Sequence, residues 1–173
     1  MARIPILGFV AHSGTGKTTL LLKIIPLLKD KGLRIGMIKH THHKFDIDHP
    51  GKDSYRLRHA GAEQMLVASR KRWALMVEMG DEFDEPDLEQ VLPHLDQEQL
   101  DLILVEGFKH ERFPKIEVHR PSLERPLLFP QDDSVIAIAC DVPQTAVATD
   151  LPVLDMNQPE QIVAFIEQRI LRY

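Results

Sequence analysis

The stretch Ile4-Pro5-Ile6-Leu7-Gly8-Phe9-Val10, followed at once by Ala11-His12-Ser13-Gly14-Thr15-Gly16-Lys17-Thr18, decides the architecture. Ile4 to Val10 is short and mostly apolar, as expected of a strand buried on both faces. Ala11 to Gly16 is small and Gly-rich, which predicts a loop. Leu20, Leu21, Ile24, Leu27 and Leu28 then recur at helical spacing. They predict a helix from Lys17 to Lys31, stopped by Gly32 and kinked at Pro26. Leu33 to Ile38 reads as a second strand. Strand, helix and strand in so short a span make a βαβ unit, which requires parallel strands and a right-handed crossover.

Further along, His40 to Lys52 has turn residues and charges without periodicity and reads as a loop. Asp53 is expected to cap a short helix that ends near Gly61. Gln64 to Ser69 and Trp73 to Met79 predict two strands joined by a Ser69-Arg70-Lys71-Arg72 turn, a hairpin inserted into the βα alternation at 64–79. Pro86 suits the first turn of a following helix, which Pro93 shortens or bends. Leu100 to Val105 is the clearest buried strand after the first. Lys115 to His119 alternates, as an edge strand would, and Val135 to Cys140 and Leu151 to Leu154 complete the set. Asn157 is placed to cap a last helix whose apolar face is Ile162, Phe165, Ile166 and Ile170. The expected class is α/β: a mostly parallel sheet with helices on both faces, in one domain spanning residues 1–173.

Composition narrows the function. With 173 residues, 43% hydrophobic and 27% charged, the chain is an ordinary globular one. No run of 18 apolar residues occurs, so a membrane-spanning helix is not expected. The N-terminus lacks the features of a signal peptide, and the expected location is cytoplasmic. The single cysteine, Cys140, excludes an internal disulfide and a cysteine-only metal site, and its apolar strand marks it as a core residue. A net charge of −5 argues against a nucleic-acid-binding domain. Arg34 to Arg72 nevertheless carries nine Lys/Arg against four Asp/Glu, and Glu78 to Glu106 carries eleven Asp/Glu and no Lys/Arg. The basic stretch is either a solvated face or the side that meets an anionic ligand. The acidic one is either plain surface or a dock for a basic partner.

Ala11 to Thr18 fits the Walker A pattern, with Ala in place of the first Gly, in the strand-to-helix context that the motif needs. Gly14 and Gly16 let the backbone turn tightly, so that successive N–H groups point into one concavity at a helix N-terminus. Lys17 supplies a full charge for the β- and γ-phosphates, and Thr18 a hydroxyl for Mg²⁺. The nucleotide-binding set therefore runs Ser13, Gly14, Thr15, Gly16, Lys17, Thr18 and Thr19, and the class sharpens to a three-layer P-loop NTPase fold. Such a site also needs an acid at the end of a neighbouring strand. Glu106 stands at the carboxyl end of its strand, where ligands bind in open α/β sheets. Asp101 begins the same strand, some 15 Å away at about 3.3 Å per residue, so Glu106 is preferred.

The loop after the second strand supplies Asp48 as a further Mg²⁺ candidate, with Asp46, Lys44 and Lys52 beside it. Its histidines, His40, His42, His43 and His49, admit a transition-metal site, although their spacing carries no metal-ligand signature. No residue stands out as an arginine finger; Arg56, Arg58 and an arginine across a dimer remain open. Asp141, after the Val135–Cys140 strand, is either a further nucleotide-binding residue or a turn residue before Val142-Pro143.

The Walker A segment, Lys39-His40-Thr41-His42-His43, Pro50-Gly51-Lys52-Asp53-Ser54, His59-Ala60-Gly61-Ala62 and Leu104-Val105-Glu106-Gly107-Phe108-Lys109 together resemble the MobB family, the molybdopterin-guanine dinucleotide biosynthesis B proteins. The likeness continues through Val135–Asp141 and Leu151–Leu171. It implies a GTP-binding homodimeric adapter with weak intrinsic GTPase activity. Such an adapter assists a partner guanylyltransferase that joins GMP to molybdopterin, and contact with molybdopterin itself stays open. It implies catalytic roles for Lys17 and Glu106, Gly107 near the γ-phosphate, and Lys52 and Asp53 in the same site or its lid. Competing readings are a P-loop small-molecule kinase and a metal-insertion GTPase that uses the histidine loop. An edge of the 64–79 hairpin would be a natural place for two copies to meet.

Overall fold

In the computed structural model, which describes residues 2–41, 45–80 and 85–172, the chain divides into two compact units. The larger comprises Met1–His40 and Asp87–Tyr173; Thr41–Pro86 forms the smaller.

The larger unit is a six-stranded sheet. Its strands are β1 (Ile6–Val10), β2 (Ile35–Lys39), β5 (Leu102–Glu106), β6 (Lys115–His119), β7 (Val135–Cys140) and β8 (Val153–Asp155), in the order β2-β5-β1-β6-β7-β8. Every pairing is parallel. The smaller unit carries α2 (Asp53–His59) and an antiparallel hairpin of β3 (Gln64–Ala68) and β4 (Trp73–Val77), close to the expected strands. Lys52, not Asp53, occupies the N-cap of α2; Asp53 is the first helical residue, where its charge suits the helix dipole.

Alternation along the strands sends side chains to two layers. On one face Leu7, Phe9, Leu102, Leu104, Ile116 and Val118 pack under α1 (Lys17–Asp30) and α4 (Pro159–Ile166). Helix α1 buries Leu20, Leu21, Ile24 and Leu28, runs through Pro26, and ends where Gly32 takes φ +84°. Lys31 meets Glu167 at 3.0 Å, which ties α1 to the chain after α4. On the other face Ile103 and Val105 pack with Leu88, Leu92 and Phe108. The helix expected there is cut short, as Pro93 implies: α3 covers only Leu88–Val91 and passes into a 3₁₀ turn. Asp87, rather than Pro86, starts it through a capping box with Gln90. The last helix likewise starts one residue later than expected, with Gln158 at its N-cap; the Asn157 amide donates to Asp155 instead.

Strand β6 is the chief departure. Its alternation suggests an edge, yet it lies between β1 and β7 with all five residues buried. Lys115, Glu117 and His119 project to the face opposite α1 and α4 and are buried there. Lys115 donates to Asp132 at 2.8 Å and to the Lys109 carbonyl at 3.0 Å. Glu117 accepts the amides of Leu128 and Phe129 at 2.8 and 2.9 Å, although burial pushes its carboxyl above the usual range. Here buried, hydrogen-bonded polar side chains hold the segment between β6 and β7, and the alternation is polar for that reason.

Candidate functional site

The loop between β1 and α1 has the geometry its glycines predict. Gly14 and Gly16 take φ +80° and +103°, a region that L side chains rarely adopt. The Thr15 hydroxyl donates to the His12 carbonyl at 2.7 Å and closes the loop from within. Gly16 caps α1 without a side-chain hydrogen bond, so the first amides of the helix keep their capacity for an anion. The Lys17 ammonium reaches back to the Ala11 carbonyl at 3.5 Å. Burial holds its pKa below the ordinary lysine value; Glu106 opposes that shift, and the neighbouring Lys109 and Lys39 charges add to it.

Strand β5 lies beside β1, and its last residue is Glu106. The Thr18 hydroxyl donates to Glu106 Oε1 at 3.4 Å, and Lys39 Nζ from β2 stands 3.5 Å from Oε2. Glu106 thus faces the phosphate loop with a hydroxyl and ammonium groups around it. Asp101 lies at the far end of β5, locked to the Arg34 guanidinium and its backbone amide, which holds the Asp101 carboxyl down to about 2.

The backbone after Glu106 is strained. Gly107 has φ +101° and Phe108 has φ +50°, two left-handed residues in succession. The His40 amide donates to the Glu106 carbonyl at 2.8 Å, and the His40 ring stacks against Phe108 with centroids 4.6 Å apart. The strand end is therefore clamped from β2.

Two strands along the same edge, Asp141 follows β7. Arg120, which follows β6, donates to Asp141 Oδ2 at 2.6 Å and to the Thr15 carbonyl at 2.9 Å. Sequence reading did not single out Arg120 or give Lys39 a role. The signal was available, since both sit at the carboxyl ends of expected strands, the edge where ligands bind. Cys140 is buried in β7, as expected.

The structure thus gathers Ser13 to Thr19, Glu106 and Gly107, with Asp141 further along the edge. Asp48, Lys52 and Asp53 belong to the smaller unit. There Asp48 accepts from the Ser54 hydroxyl at 3.0 Å and faces Arg58 at 3.7 Å. Arg58 also pairs with Asp46 at 2.8 Å and with Glu78. Asp53 makes an exposed pair with Arg56 at 3.7 Å. His42, His43 and Lys44 lie outside the described residues. Among the described residues no group of three or more His, Cys, Asp or Glu is placed to hold a metal ion.

The family described as molybdopterin guanine dinucleotide synthesis protein B matches residues 6–141. The chain is 53% identical over 164 residues to the Escherichia coli molybdopterin-guanine dinucleotide biosynthesis adapter protein, covering 94% of this chain and 91% of that one. It is 42% identical to the Haemophilus influenzae protein of the same description, over 95% and 89% of the two chains. A crystal structure of molybdopterin-guanine biosynthesis protein B superposes with a TM-score of 0.70 at 26% identity, covering 93% of this chain and 97% of that one. With a P-loop NTPase-like α/β sheet, a family model matching residues 6–141 and relatives at 53% and 42% identity, the chain belongs to the MobB family.

Proposed function

We propose that this chain is a GTP-binding adapter in molybdopterin guanine dinucleotide synthesis, with slow intrinsic GTPase activity. The observation that carries the reading is the approach of Thr18, in the first turn of α1, to 3.4 Å from Glu106 at the end of β5, beside Lys17. A hydroxyl and a carboxylate are hard oxygen donors, and they fit Mg²⁺. Thr18 and Glu106 would hold it, and once bound it would neutralise charge on the β- and γ-phosphate oxygens. Asp48, the other candidate ligand, would first have to leave Arg58.

The protein's own groups do the rest by position and charge. The loop amides bind the β-phosphate, Lys17 spans the β- and γ-phosphates, and Glu106 orients water or metal. Gly107, at the end of the same strand, lets the chain pass close to the γ-phosphate. No arginine finger is assigned, and its stimulation elsewhere is worth about 10³–10⁵ in rate, so turnover by this chain alone is slow. A protein with slow turnover suits a nucleotide-gated adapter whose partner is a cytoplasmic guanylyltransferase. No helix among the described residues is long and apolar enough to cross a membrane.

Calorimetric titration with GTP, GDP and ATP, with and without Mg²⁺, tests this directly. GTP is expected to bind more tightly than ATP, Mg²⁺ to strengthen GTP binding, and phosphate to appear slowly without an added acceptor. Equal affinity for ATP, or phosphate transfer that requires an acceptor, would defeat the reading; the latter would favour a kinase.

The adapter is proposed to act as a homodimer through the hairpin. Leu66, Val67, Trp73, Leu75 and Val77 are all exposed on β3 and β4, Trp73 by 65%. A two-stranded sheet is marginal alone and gains by pairing. Light scattering should return twice the monomer mass, and Trp73→Glu with Leu75→Glu should return the monomer. A wild-type monomer at micromolar concentration would exclude this interface.

A further inference from the structure

Arg120 turns its side chain back over the phosphate loop. Nε donates to the Thr15 carbonyl at 2.9 Å and Nη1 donates to Asp141 Oδ2 at 2.6 Å. A Cβ added at Gly16 would meet the same guanidinium at 3.7 Å, so the group lies against the loop at this glycine. One planar fork thus spans two elements that are far apart in sequence: the phosphate nest and the strand end that carries Asp141. Both partners are partly buried, with 35% of the Arg120 side chain and 21% of the Asp141 side chain exposed.

Asp141 lies two strands from β1 along the carboxyl edge, roughly 10 Å at the usual strand spacing. That separation is within reach of the base of a nucleotide whose phosphates fill the loop. A carboxylate has about four lone-pair sites, and Arg120 uses one of them. The remainder can accept N1–H and N2–H from guanine. Adenine offers an acceptor at N1, which would leave the carboxylate facing a lone pair. Left alone, an aspartate at a strand end rotates freely and repels the phosphates. The guanidinium removes both problems. It also ties up the Thr15 carbonyl, an oxygen that would otherwise compete with an anion for the nest.

We infer that Arg120 is a positioning residue for base selection, which holds Asp141 against the phosphate loop so that its free oxygen faces the N1–N2 edge of a guanine nucleotide. The inference rests on the nucleotide-binding reading above and names the device by which that site separates guanine from adenine.

The test measures Mg²⁺-dependent binding of GDP, ADP and pyrophosphate by calorimetry, with thermal melts as a fold control. In Arg120→Gln the GDP:ADP affinity ratio should fall roughly tenfold, the scale of one charged hydrogen bond, while pyrophosphate binding changes less. Arg120→Lys should not restore the ratio, because one ammonium cannot make both bonds in fixed geometry. It also serves as the deciding variant if Arg120→Gln fails to fold. Asp141→Asn should lose GDP and gain xanthosine diphosphate, whose N2 position carries an oxygen. A GDP:ADP ratio unchanged in a folded Arg120 variant overturns the inference and leaves Arg120 as a strut. Wild type that binds neither diphosphate overturns the nucleotide reading and the inference with it.

Discussion

Lys17→Ala is expected to weaken GTP binding by at least about 100-fold, since charged hydrogen bonds contribute about 1.5–3 kcal/mol each and this ammonium serves two phosphates. Two nearby cations are already engaged elsewhere. Lys39 is already committed to Glu106 at 3.5 Å, and Arg120 is engaged by Thr15 and Asp141. Among the described residues Lys17 donates only to the Ala11 carbonyl, at the 3.5 Å limit of a hydrogen bond, so a phosphate displaces little. The melting temperature should hardly move, because the group supports no core residue. Burial also lowers the Lys17 pKa. The charged form is the one that binds, so wild-type affinity should fall as pH rises, at a lower pH than an ordinary lysine near 10.5 would allow. Calorimetry on both proteins across alkaline pH reads both effects. Retention of GTP affinity within tenfold in Lys17→Ala would refute the phosphate site.

Gly107→Ala is expected to cost about 2–4 kcal/mol of stability, from left-handed strain and overpacking together. Gly107 has φ +101°, and a Cβ there would sit 2.8 Å from His40 Cβ and 3.3 Å from the His40 carbonyl. Side-chain rotation cannot relieve a contact with backbone, so β2 or the strand end must move. For a chain of this size the melting temperature should drop by roughly 5–15 °C. Glu106 immediately precedes the strained turn, so hydrolysis should fall together with stability. A variant that melts within a degree of wild type would show that the close packing at His40 is not maintained in solution.

These two positions also mark how far the sequence could be read. The phosphate loop was legible because its chemistry is local: glycines, lysine and threonine act at fixed spacing on one turn of chain. The places of Glu106 and Asp101 at opposite ends of β5 were legible because a strand's direction follows from the parallel βαβ pattern. Strand β6 was misjudged because alternating Lys115, Glu117 and His119 look like a wet edge. Their partners, Asp132 and the amides of Leu128 and Phe129, come from a loop without periodicity. Helix starts slipped by a residue at Asp53, Pro86 and Asn157, where several polar residues compete for the cap. Arg120 escaped notice because its importance lies in two contacts made across the chain, which no local pattern encodes.

The interleaved strand order has a bearing on how the chain matures. Glu106 comes level with Lys39 only after β5 has slotted between β2 and β1, two strands made much earlier along the polypeptide. Such distant parallel pairings form late. A chain emerging from the ribosome would therefore carry its glycine loop long before it could grip a ligand there, and occupancy by nucleotide would report that the central sheet had closed.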